Sequence, residues 1–334
     1  MPSTSALPLA DRLGRVHTDL RVSLTDRCNL RCTYCMPEEG LTWLTRPELL
    51  TDDEVVRLVD LATRQLGIRT VRLTGGEPLL RRGLPDLIAR LTALPYAPEL
   101  SLTTNGIGLA RCAVALRNAG LRRVNVSMDT LRPERFAEIT RRDRLADVLL
   151  GLAAAQAAGL APVKINAVPV RGVNNDEIGE LTAFAVEHGY RMRFIESMPL
   201  DAQGAWDRDR MIPADEILAG IGERFALEPL PRDGSAPAEE WRIVGTDAVV
   251  GVIASVTRPF CGGCDRVRLT ADGQLRNCLF ASTESDLRGL LRSGADDDVV
   301  EAAWRASVAG KGPGHDINSA DFRQPERSMS AIGG

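Results

Sequence analysis

Residues 25–37 read TDRCNLRCTYCMP. This stretch follows an apolar run at 20–24 that is typical of a β-strand, and it holds Cys28, Cys32 and Cys35 in a C-x3-C-x2-C spacing. Three thiolates gathered in one loop bind soft metals, meaning zinc or an iron–sulfur cluster. A structural zinc site is closed by four ligands. Three cysteines around a four-iron cluster instead leave one iron open to a small molecule.

A second set of three cysteines lies near the other end of the chain. Cys261 and Cys264 form a C-x2-C pair, and Cys278 follows after thirteen intervening residues. Neither set supplies a fourth ligand, so the spacing predicts two clusters with open irons and chemistry at both. The remaining cysteine, Cys112, falls in an apolar helical stretch, where we expect a small buried hydrophobic residue.

The composition limits the classes of function. The 334 residues are 44% hydrophobic and carry a net charge of −4, with a pI near 5.6. An acidic chain argues against nucleic acid or an anionic membrane as the main partner. No apolar stretch approaches the ~20 residues of a membrane span, and residues 1–10 lack the features of a signal peptide. We therefore expect a cytoplasmic protein, whose clustered cysteines bind metal rather than form disulfides.

The first two-thirds of the chain alternates predicted strands with amphipathic helices. The predicted strands are 20–24, 70–73, 100–103, 123–126, 163–168 and 193–195. The predicted helices are 52–65, 84–94, 109–119, 146–158 and 176–187. This alternation indicates an α/β fold with a parallel sheet, either curled as an incomplete barrel or laid open.

In both arrangements the ligand site lies at the carboxyl ends of the strands. The segments expected to face one mouth there are 25–35, 75–77, 104–106, Ser127 and 196–198. Beyond about residue 198 the pattern changes to a polar loop, a helix at 213–225 and two strands within 240–256. We therefore expect a core at 1–225 and a C-terminal region at 226–334 that carries the second cysteine set.

Two motifs make the sequence similar to the radical S-adenosylmethionine (SAM) superfamily. One is the C-x3-C-x2-C loop with Tyr34 before its third cysteine, and the other is GGEP at 75–78, after the second predicted strand. The two glycines let the backbone approach a ligand closely, and Glu77 is expected either to pair with the SAM ammonium or to brace the loop. FCGGCDRVRL at 260–269 and NCLF at 277–280 further resemble the GTP 3′,8-cyclase family. That likeness runs from about residue 11 to residue 334.

The resemblance implies an incomplete (β/α)6 barrel, TIM-like, whose open side is covered by the C-terminal segment. It implies a lyase in which reductive cleavage of SAM gives a 5′-deoxyadenosyl radical. The radical would take hydrogen from ribose C3′ of GTP, and C3′ would bond to guanine C8 to give (8S)-3′,8-cyclo-7,8-dihydroguanosine 5′-triphosphate. This is the first step of molybdenum cofactor biosynthesis. A reduced flavodoxin- or ferredoxin-like donor, a homodimer and transfer of product to cyclic pyranopterin monophosphate synthase are implied as well.

The resemblance also implies roles for individual residues. The first cysteine set would hold a [4Fe–4S] cluster that binds SAM, and the second a [4Fe–4S] cluster that binds the guanine edge. SAM contacts are implied at Tyr34, Gly76, Ser127 and Met198. GTP contacts are implied at Arg21, Arg72, Thr103, Lys164, Arg266, Val267 and Arg268. The charges support this independently, because basic side chains on inward-facing strands are costly unless an anion meets them.

The chain ends in Gly333-Gly334, which the resemblance places in the active-site mouth. Disorder is the alternative, since termini are often poorly ordered.

Two other functions are compatible with parts of the cysteine pattern. A radical SAM enzyme that modifies peptides or cofactors predicts more than three C-terminal cysteine ligands, which this sequence lacks. A zinc-stabilised interaction module would use the same cysteines, and it would be colourless where iron–sulfur clusters are brown.

Overall fold

The computed structural model of the chain describes residues 7–232 and 234–333. Within these residues, twelve strands form one sheet, accompanied by ten α-helices, none of which is long and apolar enough to cross a membrane. The strands are β1 (Asp19–Ser23), β2 (Thr70–Thr74), β3 (Glu99–Thr104), β4 (Arg123–Ser127), β5 (Val163–Ala167), β6 (Arg191–Ile195), β7 (Leu227–Pro229), β8 (Glu239–Ile243), β9 (Val249–Ile253), β10 (Arg266–Leu269), β11 (Gln274–Arg276) and β12 (Ser285–Asp286). The helices are α1 (Asp52–Gln65), α2 (Leu84–Thr92), α3 (Leu109–Asn118), α4 (Pro133–Thr140), α5 (Leu145–Ala157), α6 (Ile178–Glu187), α7 (Ala214–Gly222), α8 (Leu287–Arg292), α9 (Asp297–Ala309) and α10 (Met329–Ile332).

The six predicted strands are present as β1 to β6, which lie side by side in chain order and all parallel. Local sequence sets the bounds of the helices between them. At α1, Thr51 Oγ1 accepts the Glu54 amide at 3.2 Å and Glu54 Oε2 accepts the Thr51 amide at 2.7 Å. This reciprocal pair satisfies amides that the first turn of a helix leaves without partners. Just beyond α1, Gly67 takes a φ of 75°, which a residue with a Cβ rarely adopts.

The C-terminal strands extend both edges of this parallel core. β10 pairs parallel with β1, and β9 pairs parallel with β6, while β11, β12, β8 and β7 add antiparallel strands outside them. β7 and β12 are the two edges, so the sheet is open and does not close into a complete barrel. The two strands predicted within 240–256 are β8 and β9.

The two faces of the central sheet differ in polarity. On β1, Leu20 and Val22 are fully buried in the apolar core. Arg21 and Ser23 alternate with them and so lie on the opposite face of the sheet. Arg21 is the register partner of Arg72 on β2. Arg21 and Arg193, from β1 and β6, line one cavity, which requires the sheet to curl around it. The expectation of an incomplete barrel is therefore confirmed.

Candidate active site

A cavity of about 340 Å³ opens at the carboxyl ends of the six central strands. All six cysteines of the two sets line this cavity, although more than two hundred residues separate the sets in sequence. The residues expected at the site that also line it are Arg21, Tyr34, Arg72, Gly76, Thr103, Ser127, Met198, Arg266 and Arg268. The fold thus gathers most of the predicted site residues around one space.

Three other expected residues, Lys164, Val267 and Gly333, do not line the cavity. Lys164 precedes the cavity residue Asn166 by two positions on β5, so it shares that face of the strand but lies nearer the N-terminal end. Val267 is fully buried between Arg266 and Arg268 in β10, where it is the register partner of Leu20 on β1. Gly334 lies outside the described residues.

The Gly75-Gly76-Glu77 turn after β2 is hydrogen-bonded to the segment that leads into the first cysteine loop. The Gly76 amide donates to the Thr25 carbonyl at 2.7 Å, and the Glu77 amide donates to the Arg27 carbonyl at 2.7 Å. A Cβ on Gly76 would lie 2.3 Å from the Arg27 oxygen and 2.4 Å from the Asp26 oxygen. Only glycine permits this approach between two backbone segments.

Glu77 braces the turn from inside. It is completely buried, and its carboxylate accepts the Thr104 hydroxyl at 2.6 Å, the Asn105 amide at 2.7 Å and the Leu79 amide at 3.0 Å. Burial raises the pKa of Glu77 to about 7, against the lowering effect of these bonds. Of the two roles expected for Glu77, the structure shows the bracing one.

The donor set of the first loop, three thiols that line one cavity, fits an iron–sulfur cluster. Burial raises the pKa of Cys28 and Cys32, and burial with the charge of Cys28 raises the pKa of Cys35 to about 12. A four-iron cluster takes its thiolates on separate irons, and Cys28, Cys32 and Cys35 all line the cavity.

A group of buried arginines faces the same cavity. Burial and the charge of Arg72 lower the pKa of Arg21 to about 9, and burial and the charge of Arg21 lower the pKa of Arg268 to about 9. Burial lowers the pKa of Arg72 to about 10. The Nε atoms of Arg21, Arg72 and Arg266 are buried and have no hydrogen-bond partner among the described residues. The charge of Asp19 attracts Arg21 and Arg72, but the arginines also repel one another and keep donors without partners, which suits the binding of a polyanion.

Several cavity residues were not selected from the sequence. Arg193 on β6 lines the cavity, and the signal that selected Arg21, a basic residue within a buried strand, would have found it. Asp129 accepts the Tyr34 hydroxyl at 2.5 Å and the Val168 amide at 2.8 Å, which fixes the residue before Cys35.

Two further residues contact the site from distant segments. His315 lines the cavity, with Nε2 3.0 Å from the Ser255 carbonyl oxygen. Arg141 donates to the Arg31 carbonyl at 3.0 Å, inside the first cysteine loop. Both contacts depend on residues far away in sequence, and no local pattern signals them.

The tail approaches the mouth through its described end. The Gly333 carbonyl accepts a hydrogen bond of 2.5 Å from Arg268 Nη1. Gly333 has a φ of 87°, and a Cβ there would lie 2.9 Å from Thr74 Cγ2. Met329 and Ser330, in α10, line the cavity beside the first cysteine loop. A small residue with positive φ is therefore needed where the tail meets β1 and β2.

Comparisons with known proteins agree with this geometry. The Radical SAM superfamily model matches residues 22–185, and the model described as Molybdenum Cofactor Synthesis C matches residues 190–317. A GTP 3′,8-cyclase of Streptomyces coelicolor is 61% identical over 98% of this chain and 96% of its own length. A GTP 3′,8-cyclase 2 of Mycobacterium tuberculosis is 56% identical over 100% of this chain and 94% of its own length.

The fold has solved relatives as well. The crystal structure of Streptococcus suis SuiB bound to S-adenosylmethionine has a TM-score of 0.60, covering 93% of this chain and 76% of that chain. At 14% identity this likeness concerns the fold alone. The sequence identity to the curated relatives, taken with the two cysteine sets around one cavity, shows that the chain belongs to the GTP 3′,8-cyclase family of the radical SAM superfamily.

Proposed function

We propose that this chain is a radical SAM GTP 3′,8-cyclase, a lyase that joins ribose C3′ of GTP to guanine C8 in the first step of molybdenum cofactor biosynthesis. One observation carries the proposal. Two sets of three cysteines and a group of mutually repelling arginines line the same cavity. That combination suits a redox cluster at one side, an anionic nucleotide at the other, and a reaction between them.

Cys28, Cys32 and Cys35 would hold the [4Fe–4S] cluster that radical SAM membership implies. When bound, the cluster and SAM supply the one-electron chemistry that yields a hydrogen-abstracting radical. The chain's own residues orient SAM: the Tyr34 backbone, Gly76, Ser127 and Met198 would contact it. The Gly76 N–H already donates a hydrogen bond to the Thr25 carbonyl. The Gly76 carbonyl oxygen is therefore the backbone atom of this residue that would accept from the SAM ammonium.

Cys261, Cys264 and Cys278 would hold a second [4Fe–4S] cluster, whose open iron would bind the guanine edge. GTP brings about four negative charges, and arginines bind phosphates through charge-assisted hydrogen bonds. The residues proposed to contact GTP are Arg21, Arg72, Thr103, Lys164, Arg266, the Val267 backbone and Arg268. Gly333 and Gly334 are proposed to complete the substrate side of the mouth. The cavity would also exclude water from the radical.

The remaining parts of the proposal come from the family resemblance. We propose residues 1–225 as the radical SAM core and 226–334 as the region that carries the second cluster. The protein would act in the cytoplasm as a homodimer, receive electrons from a reduced flavodoxin- or ferredoxin-like protein, and pass its product to cyclic pyranopterin monophosphate synthase. Size-exclusion chromatography with light scattering tests the dimer directly.

The central test is anaerobic. The clusters are reconstituted, SAM and dithionite are added, and 5′-deoxyadenosine is quantified by mass spectrometry with and without GTP. We expect GTP to stimulate its formation while GTP is lost to an isomer of equal mass. If equal amounts of 5′-deoxyadenosine form with and without GTP, the proposal of GTP as the substrate is refuted. A colourless protein that forms no 5′-deoxyadenosine would favour a zinc module.

A pair of cysteine variants tests the second cluster. Cys278→Ser is expected to spare the first cluster, lower iron content and weaken GTP binding. Cys112→Ser is the matched control, because Cys112 lies in α3, away from the cavity, with its thiol 3.5 Å from the Gly108 carbonyl. It should leave both iron content and turnover unchanged. Equal activity of the two variants would refute the proposal that the protein holds two clusters.

A further inference from the structure

Lysine is rare in this chain and occurs at two positions. The sequence contains 41 basic residues, and only Lys164 and Lys311 are lysines. Lys311 follows α9 and is 5% exposed. An ammonium is compact and has three donors that rotate freely, whereas a guanidinium is a broad planar fork. At Lys311 the compact ammonium is almost completely buried.

Lys311 reaches the second cysteine set from behind the cavity wall. Its Nζ lies 2.8 Å from the Arg266 carbonyl oxygen, 3.3 Å from the Cys264 carbonyl oxygen and 3.5 Å from Cys264 Sγ. Backbone carbonyls are neutral, so the sulfur of Cys264 is the contact that can balance the charge.

The fourth neighbour of Lys311 Nζ is His17, whose Nδ1 lies 3.5 Å away. His17 is completely buried, and burial together with the charge of Lys311 lowers its pKa to about 4. His17 is therefore neutral at pH 7. Its Nδ1 accepts from Lys311, and its Nε2 donates to Asp11 Oδ2 at 3.2 Å.

Asp11 does not neutralise Lys311 through His17, because it already has a cationic partner. Arg15 Nε lies 2.5 Å from Asp11 Oδ2. The same guanidinium donates to the Cys261 carbonyl at 2.9 Å and to the Gly312 carbonyl at 2.7 Å. The network thus ties the N-terminal segment and the chain after α9 to the C-x2-C loop, and it leaves the positive charge of Lys311 facing Cys264.

We propose that Lys311 is a positioning residue for the second cysteine set: its ammonium binds the Cys264 thiolate, retains the iron bound there and makes that cluster easier to reduce. This rests on the proposed function, since it presumes that Cys264 is a cluster ligand. A cation hydrogen-bonded to a ligand sulfur offsets the negative charge that an added electron brings. Loss of the cation therefore disfavours reduction and loosens the thiolate.

The test uses the full chain with Cys28, Cys32 and Cys35 replaced by Ala, so that all bound iron belongs to the second set. This parent is compared with versions that also carry Lys311→Met, Lys311→Gln or Lys164→Met. Each is reconstituted anaerobically. Iron and sulfide content, the midpoint potential followed by electron paramagnetic resonance, and the rate of iron loss to a ferrous chelator are then measured.

We expect Lys311→Met to shift the midpoint potential to a more negative value and to speed iron loss several-fold. Lys311→Gln keeps N–H donors without the charge, so it should match Lys311→Met in potential and retain iron better. Lys164→Met removes the other lysine, which is half-buried on β5, and should change neither measurement. Circular dichroism checks folding, and Lys311→Gln decides if Lys311→Met does not fold.

Two results are unfavourable and distinguishable. If the parent with native Lys311 binds no iron, the proposed second cluster fails, and the inference fails with it. If the parent binds iron and both Lys311 variants keep its potential and its rate of iron loss, the role of Lys311 is refuted while the second cluster stands.

Discussion

Replacing Arg21 with Met is expected to stabilise the ligand-free protein and to weaken its binding of GTP. Arg21 lies on β1, is 8% exposed, and has a buried Nε without a partner among the described residues. Its pKa falls from 12.5 to about 9 because of burial and the charge of Arg72. The fold therefore holds a guanidinium charged in a place that disfavours the charge.

The size of the effect follows from the pKa. The pKa of Arg21 is lower in the folded protein than in the unfolded chain, so the penalty is fully present below about pH 9 and disappears as pH rises to 12.5. At ~1.4 kcal/mol per pKa unit, the charge costs on the order of 5 kcal/mol at neutral pH. Replacing buried ionic groups by apolar ones of similar volume stabilises proteins by about 1–4 kcal/mol. We expect a gain in that range.

The gain is measured by urea unfolding of the cluster-free protein, and the loss by equilibrium dialysis of GTP against the reconstituted protein. A hydrogen bond to a charged group contributes about 1.5–3 kcal/mol, so GTP affinity should fall by about 10- to 150-fold. Arg90→Met is the control, because Arg90 pairs with Asp53 on the surface; it should change stability by less than about 0.5 kcal/mol. A less stable Arg21→Met protein with normal GTP affinity would refute the reasoning.

Three further predictions concern the ligand, the first loop and the tail. Burial lowers the pKa of Lys164 to about 7, and a bound triphosphate favours its ammonium form. GTP binding should therefore take up a proton near pH 7 and weaken as pH rises, which calorimetry in two buffers of different ionisation enthalpy detects; Lys164→Met should abolish the uptake. Gly76→Ala places a Cβ 2.3 Å from a backbone oxygen. It should cost about 1–3 kcal/mol through two lost hydrogen bonds and lower the iron bound by the first set, whereas Gly262→Ala, with nothing within 4 Å, should not. Gly333→Ala, at a φ of 87°, should cost about 1–3 kcal/mol of tail docking and slow turnover at unchanged iron content; parental turnover would remove the tail from the mechanism.

Local sequence predicted the parallel core well because its signals are local. The capping pair at Thr51 and Glu54 and the glycine after α1 mark a helix that begins and ends where expected. The C-terminal strands were harder for a physical reason. β10 is four residues long, and its register partner β1 lies more than two hundred residues earlier. Periodicity describes one segment at a time and contains no information about such a pairing.

Only part of the candidate site was predicted, again because sequence patterns describe one segment at a time. Cysteine spacing is local, and the carboxyl ends of parallel strands bring both sets to one mouth. The contacts of Arg141 with the first loop and of Lys311 with Cys264 join segments about a hundred and about fifty residues apart. Such positions look like an ordinary loop until the fold places a partner beside them.

Buried charges in this protein divide into two kinds, and the difference separates support from function. Glu196 was expected at the mouth, yet it is completely buried and accepts the amides of Ala214 at 2.8 Å, Val256 at 2.7 Å and Thr257 at 2.9 Å. Like Glu77, it finds its donors inside the fold, so its charge joins elements and is not available to a ligand. Arg21 is also buried, but its Nε has no partner among the described residues, and the charge of Arg72 repels it. Because burying an unpaired charge is costly, a chain that keeps Arg21 there needs an anion to complete the site.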